Sequence, residues 1–88
     1  MKHLELKNAK LTNYERRNNS MYGNPSWSVC FTNDINSIMG KTASDAKCSY
    51  TVENFSDGRY CDVTYHITRA GNMIIDKIKE AWTNRRVL

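Results

Sequence analysis

Long apolar runs are missing from this sequence. The most conspicuous, Met73–Ile75, falls far short of the ~20 residues that a membrane-spanning helix needs. The N-terminal segment MKHLELKNAKL alternates charged and apolar residues, so it lacks the unbroken apolar stretch of a signal peptide. No membrane association is expected. Cysteine is sparse: Cys30, Cys48 and Cys61 are odd in number, irregularly spaced, without a CxxC pair and without histidine at finger spacing. That pattern argues against a disulfide framework or a structural zinc site, so no metal is expected and a reducing, cytoplasmic location is the default. GxGxxG, P-loop, HExxH and GxSxG sequences are also lacking. No cofactor is expected, and an enzyme is the least supported class. There is no internal repeat and no low-complexity segment.

What remains is the composition of one small folded domain spanning residues 1–88. Apolar residues make up 40% and charged residues 25% of the 88-residue chain, values that suit a packed core rather than disorder. The net charge of +4 is unevenly spread: both ends are basic, and the segment 41–68 is slightly acidic. Such a balance fits an anionic partner, but it serves solubility equally well.

Period-2 alternation is the dominant pattern. Leu4 and Leu6 alternate with His3, Glu5 and Lys7, and Ala9 and Leu11 prolong the strand through a bulge or bend near Asn8. Around Tyr14 the pattern dissolves into ERRNNSMYGNP, whose Asn, Ser, Gly and Pro content favours a long loop. Alternation resumes at Ser26, with Trp27, Val29 and Phe31 on one face, and Pro25 suits the strand's entry. The turn TNDIN and the return at Ile38 and Met39 complete a hairpin. Asp57-Gly58 introduces the strand YCDVTYHITR, the turn RAGN follows, and Met73 to Ile78 form its partner. Ile75, Ile78 and Trp82 also match helical spacing, so the segment 79–88 reads as a frayed or helical basic tail.

Between the third and fourth strands, Thr42 and Asp45 stand at capping-box spacing, and a helix of about ten residues from Ser44 is expected, ending near Asn54. The order is β-β-β-α-β-β. The fold class is therefore α+β, mainly β: a small five-stranded barrel of oligonucleotide-binding-like order, or a curled antiparallel sheet, with one short helix.

Two groups of residues could carry recognition. Arg16, Arg17, Asn18, Asn19, Tyr22 and Asn24 lie in or beside the first loop, supplying phosphate donors, amides and a ring able to stack on a base. Lys77, Lys79, Arg85 and Arg86 form a secondary basic surface near the C-terminus. Trp27, in register with Val29 and Phe31, belongs to the core. Asp62, Thr64 and His66 share the other face of their strand and could be imagined as an acid/base site. Their ~7 Å spacing along one strand is too long for a direct hydrogen bond, and a solvent-facing surface is the expectation. The cysteines are read as small buried hydrophobes rather than nucleophiles.

The segments YGNPSWSVCF, GKTASDAKCSYTVEN and the hairpin from DVTYHIT to GNMIIDKI together resemble a pattern in small bacteriophage proteins of uncharacterised function. That resemblance implies a host-takeover or anti-defence factor, acting in the host cytoplasm by occluding a host or defence protein or by sequestering an anionic nucleotide; many such proteins form homo-oligomers. The leading expectation is thus a non-enzymatic inhibitory binding protein. Single-stranded nucleic-acid binding is the alternative, and a structural or assembly subunit is the third.

Overall fold

The structure is a computed structural model and describes residues 2–82. Its strands are β1 (Leu4–Arg17), β2 (Ser26–Thr32), β3 (Ser37–Thr42), β4 (Cys61–Ile67) and β5 (Met73–Glu80). They close into a barrel in the order β1-β2-β3-β5-β4, with β1 pairing to both β2 and β4. Every neighbouring pair is antiparallel except β3 and β5, which run parallel. The oligonucleotide-binding-like barrel is therefore the arrangement adopted, and the open curled sheet is not. Closure gives each strand two neighbours, although the β3–β5 seam is short, pairing only Lys41 with Ile74 and Thr42 with Ile75.

Two strands depart from simple alternation, and the departures bend them round the core. In β1 the register shifts between Leu6 and Ala9, where Asn8 adopts φ +53° and its N–H donates to the Asp62 carboxylate at 3.0 Å. Leu6, Ala9 and Leu11 can then all point inward, the bulge absorbing the odd step. On the β4–β5 pair, Tyr65 faces Ile75 whereas Thr64 faces Lys77, so Asp76 is the extra residue of a second bulge. Ile75 and Ile78 are both buried as a result. Their three-residue spacing, which in the sequence mimics a helix, is the mark of that bulge. The expected tail from residue 79 is corrected accordingly: Lys79 and Glu80 belong to β5. Arg85 and Arg86 lie outside the described residues.

The first loop is also shorter than expected. Tyr14 to Arg17 continue β1, pairing with Val29 back to Ser26. At this end the inward positions cover a rim rather than a core: Tyr14 packs its ring 5.8 Å from that of Trp27, and the Arg16 guanidinium lies 5.7 Å above the same indole. Half-exposed aromatic and charged residues leave no alternation of polarity to read.

The expected ten-residue helix is replaced by two 3-10 turns, Lys47–Tyr50 and Val52–Phe55, joined at Thr51. Hydroxyls account for the change. Ser49, Thr51 and Ser56 each donate to the carbonyl three residues earlier, at 2.9, 3.2 and 2.7 Å, which holds i to i+3 geometry in competition with the α-helix. Thr42 does not cap a helix; its hydroxyl accepts from the Trp27 N–H at 3.1 Å. Cys48, Val52 and Phe55 from these turns join Leu6, Leu11, Val29, Phe31, Val63 and Ile75 in one core. Trp27 is 8% exposed and its indole N–H donates to the Ser49 carbonyl at 2.8 Å, so the expected core role holds.

Gly40 makes the parallel β3–β5 seam passable. A Cβ there would stand 2.5 Å from the Met73 carbonyl oxygen, a backbone atom that cannot swing away. Gly40→Ala should therefore cost about 1–3 kcal/mol and lower the Tm by roughly 10 °C in a circular-dichroism melt. An unchanged Tm would show that the two strands do not approach this closely.

Candidate functional site

The barrel's stagger assembles a band of side chains that no single strand contains. Following paired residues round the wall, Glu15 faces Ser28, Ser28 faces Lys41, Lys41 faces Ile74 and Ile74 faces His66. The next step returns to β1, where Leu4 pairs with Tyr65 and sets His3 beside His66. The path thus begins near one end of β1 and finishes at the other, as closure of a tilted barrel requires.

A groove of about 1040 Å³ follows this band. One wall is Glu15 to Met21, from β1 and the first loop; the other runs from Lys41 to Asp45, with Ile74, Asp76 and His66 beyond. Of the residues expected to bind, Arg16, Arg17, Asn18 and Asn19 line it. Tyr22 and Asn24 do not.

The four lining residues are held differently. Arg16 is already committed: it donates to the carbonyls of Arg17 and Ser26 at 2.7 and 3.4 Å and to the Asn19 amide oxygen at 2.7 Å. Asn19 orients Arg16 in return. Among the described residues Arg17 makes a single side-chain bond, Nη1 to the Ser28 hydroxyl at 3.0 Å. Lys41 stands across from Ser28. Neither Arg17 nor Lys41 has a carboxylate partner among the described residues. Two cations without a carboxylate partner therefore line the groove, Arg17 on one wall and Lys41 on the other, a donor set suited to phosphate or carboxylate oxygens. Acidic residues are present too: Glu15 and Asp45 line the groove, and Asp76 lies at its far end.

The loop over residues 18–25 is fastened to the segment after β3. The Ser20 hydroxyl and the Asn24 amide both donate to the Ser44 carbonyl, at 2.8 and 2.9 Å, and the Tyr50 hydroxyl donates to the Asn24 side-chain oxygen at 2.6 Å. Within the loop, Gly23 takes φ +80° and donates to the Ser20 carbonyl at 2.9 Å. Asn24 is thus a fastener between the groove's two walls. Tyr22 is 66% exposed at the loop's tip.

At the far end, His66 Nδ1 and Asp76 Oδ2 are 2.6 Å apart, with side chains 17% and 23% exposed. His3 Nε2 lies 3.5 Å from the same oxygen, and the two imidazoles meet edge-on with centroids 5.6 Å apart. The imagined Asp62–Thr64–His66 arrangement does not form. Asp62 serves the bulge at Asn8, and the acid that meets His66 comes from the neighbouring strand; His66 keeps its place on the outer face, partly covered, with its side chain 17% exposed. Such a pair can hold or move a proton, and its three donor atoms lie within 4.8 Å of one another.

The remaining sites stand apart. Lys77 and Lys79 are exposed on β5, opposite Thr64 and Asp62, and do not line the groove. The three thiols are unpaired. Burial pushes the Cys48 thiol up to about 11, helped by the Asp76 charge, and the Cys61 thiol up to about 12, helped by Asp62. Neither is a ready nucleophile.

Lys41 and Ser28 were readable in principle, since a hairpin closed at TNDIN sets Thr32 against Ser37 and hence Ser28 against Lys41. His3 and Asp76 left no such trace, because they meet only through the stagger. Compared with known proteins, the chain matches no family model, no curated protein sequence and no solved structure. The fold and site define a small five-stranded barrel with a polar groove between its first loop and the seam of β3 and β5.

Two outcomes follow. Asn24→Ala, which removes bonds to Ser44 and Tyr50, should leave the barrel folded but raise amide hydrogen exchange in residues 18–24 by roughly thirtyfold, each of the two lost bonds being worth about 1 kcal/mol. In a thiol titration at pH 8 the raised pKa values keep Cys48 and Cys61 protonated. Only half-buried Cys30 should react before denaturant is added, and modification of all three in the native protein would contradict the burial.

Proposed function

We propose that this chain is a non-enzymatic binding protein whose groove takes the phosphate of a nucleotide-type anionic ligand and sequesters it. One observation carries the reading: Arg17 and Lys41 line the two walls of the groove and neither is neutralised by a carboxylate among the described residues. Cations left without a carboxylate on the two walls of a groove are positioned for a ligand's oxygens. Arg16, fixed by Asn19 and backbone carbonyls, adds a third positive charge that needs no reordering. The buried, raised-pKa thiols speak for binding rather than covalent chemistry. On the resemblance to small bacteriophage proteins, the sequestered nucleotide or occluded partner would belong to the infected cell's machinery or defences.

Single-stranded nucleic acid is the rival ligand, favoured by the barrel's strand order and by Tyr22 at the loop tip. Its weakness is the outer surface of β2 and β3. Ser26, Ser28, Cys30, Thr32, Ser37, Met39 and Lys41 hold the positions alternating with buried Trp27, Val29, Phe31, Ile38 and Thr42, and none is a ring. Base stacking, the main sequence-tolerant contribution to strand binding, has little to rest on there.

Fluorescence anisotropy with a labelled nucleoside triphosphate, and separately with a labelled oligonucleotide of about 12 nucleotides, tests both. Nucleotide affinity should fall by about tenfold or more in Arg17→Ala and in Lys41→Ala, the loss of a charge-assisted bond worth about 1.5–3 kcal/mol. Glu15→Gln should tighten binding severalfold by removing a like charge from the wall. Nucleotide binding indifferent to all three substitutions contradicts the reading. A tighter, steeply salt-dependent oligonucleotide complex favours the rival.

A further inference from the structure

His3, His66 and Asp76 form a second feature of the groove that anion binding does not use. They come from three places: the residue before β1, the outward face of β4, and the bulge of β5. Bulges commonly re-aim a side chain, and this one carries Asp76 to a point 2.6 Å from His66 Nδ1 and 3.5 Å from His3 Nε2. Nothing in the core requires this convergence. Two imidazole nitrogens and one carboxylate oxygen within 4.8 Å of one another are a compact set of metal donors.

We propose that His3, His66 and Asp76 bind a divalent ion of the zinc class. The donor types select it: imidazole suits zinc and its first-row neighbours, whereas calcium and magnesium want an all-oxygen shell. The spacing comes within reach of it after small side-chain movements. Ligands about 2.0–2.1 Å from a tetrahedral ion lie roughly 3.3 Å apart. The His3–Asp76 separation of 3.5 Å already meets this. The His66–Asp76 contact of 2.6 Å is a hydrogen bond, and it opens by some tenths of an ångström when the ion replaces the shared proton, which leaves to solvent. His3 has the freedom to complete the set, its side chain being 59% exposed, while His66 and Asp76 are held at 17% and 23%. Three protein ligands leave a coordination position for water or an added anion.

The sequence expectation of no metal rested on finger spacing, which describes ligands close in the chain. These ligands are joined by the barrel's stagger instead. A bound divalent ion would also offset the acidic residues of the groove and favour an anion in it; this consequence rests on the phosphate-binding reading above, whereas the metal site itself does not.

The test is metal binding alone, with untagged full-length protein stripped by chelator. Calorimetric titration with Zn2+ should show one site, and His3→Ala, His66→Ala and Asp76→Asn should each weaken it by more than about tenfold. Circular-dichroism melts without metal confirm that each variant folds, and His3→Ala, on an exposed side chain before β1, keeps the test sound if His66→Ala does not fold. Cys30→Ser should leave the affinity unchanged, and Mg2+ should not compete. Co2+-loaded wild type should show the visible absorption of a low-coordinate nitrogen and oxygen site, lost in His3→Ala. The proposal is overturned if wild type takes up no Zn2+ at micromolar concentrations, if folded His3→Ala binds it as tightly as wild type, or if Cys30→Ser abolishes binding.

Discussion

Barrel closure makes one long strand serve two neighbours. β1 must pair with β2 along its second half and with β4 along its first, so it has to bend sharply in the middle. Asn8 at φ +53°, tied to Asp62, supplies the bend. Asparagine tolerates the left-handed region better than most side chains, which is why a glycine is not required there. Once β1 is bent, the stagger follows, and residues from its two ends fall on the same band as Ser28, Lys41, Ile74 and His66. The groove is a product of that geometry.

A groove is useful only if its walls keep their distance. Two sets of hydrogen bonds fix them. Trp27 ties β2 to Thr42 through its backbone and to Ser49 through its indole, anchoring the segment after β3 to the core. Ser20, Asn24 and Tyr50 then tie the first loop to that segment through Ser44 and Asn24. Walls fastened in this way lose little freedom when a ligand enters, which is the physical content of preorganisation. The polar character of the loop, conspicuous in the sequence, is thus spent largely on fastening. Arg17 and Lys41 retain unused capacity.

The β elements were legible because most strands bury one face and expose the other. Trp27, Val29 and Phe31 announce β2 by alternation, and the turns at Asn33–Asn36 and Thr68–Asn72 close where Asn, Asp and Gly predict. Illegibility came from irregularity and from tertiary pairing. The bulge at Asp76 turned a strand period of two into a spacing of three, which reads as helix. Hydroxyl-to-carbonyl bonds at Ser49, Thr51 and Ser56 converted a helix-start pattern into 3-10 turns. At the site, Arg16 to Asn19 were recognisable as a polar cluster, whereas the fastening role of Asn24 was not, because a loop amide looks the same whether it fastens or binds. His3, His66 and Asp76 meet through pairings of three strands, and no local pattern encodes that.

The most direct test of the account is where an anion perturbs the folded protein. A 15N-resolved NMR titration with pyrophosphate at low salt should move the amide and side-chain signals of Arg17, Ser28 and Lys41, with the adjoining groove residues Asn18 and Ile74, and leave those of Lys77 and Lys79 in place. Shifts centred on Lys77 and Lys79, or none anywhere at millimolar pyrophosphate, would contradict the claim that barrel stagger has built an anion-binding groove.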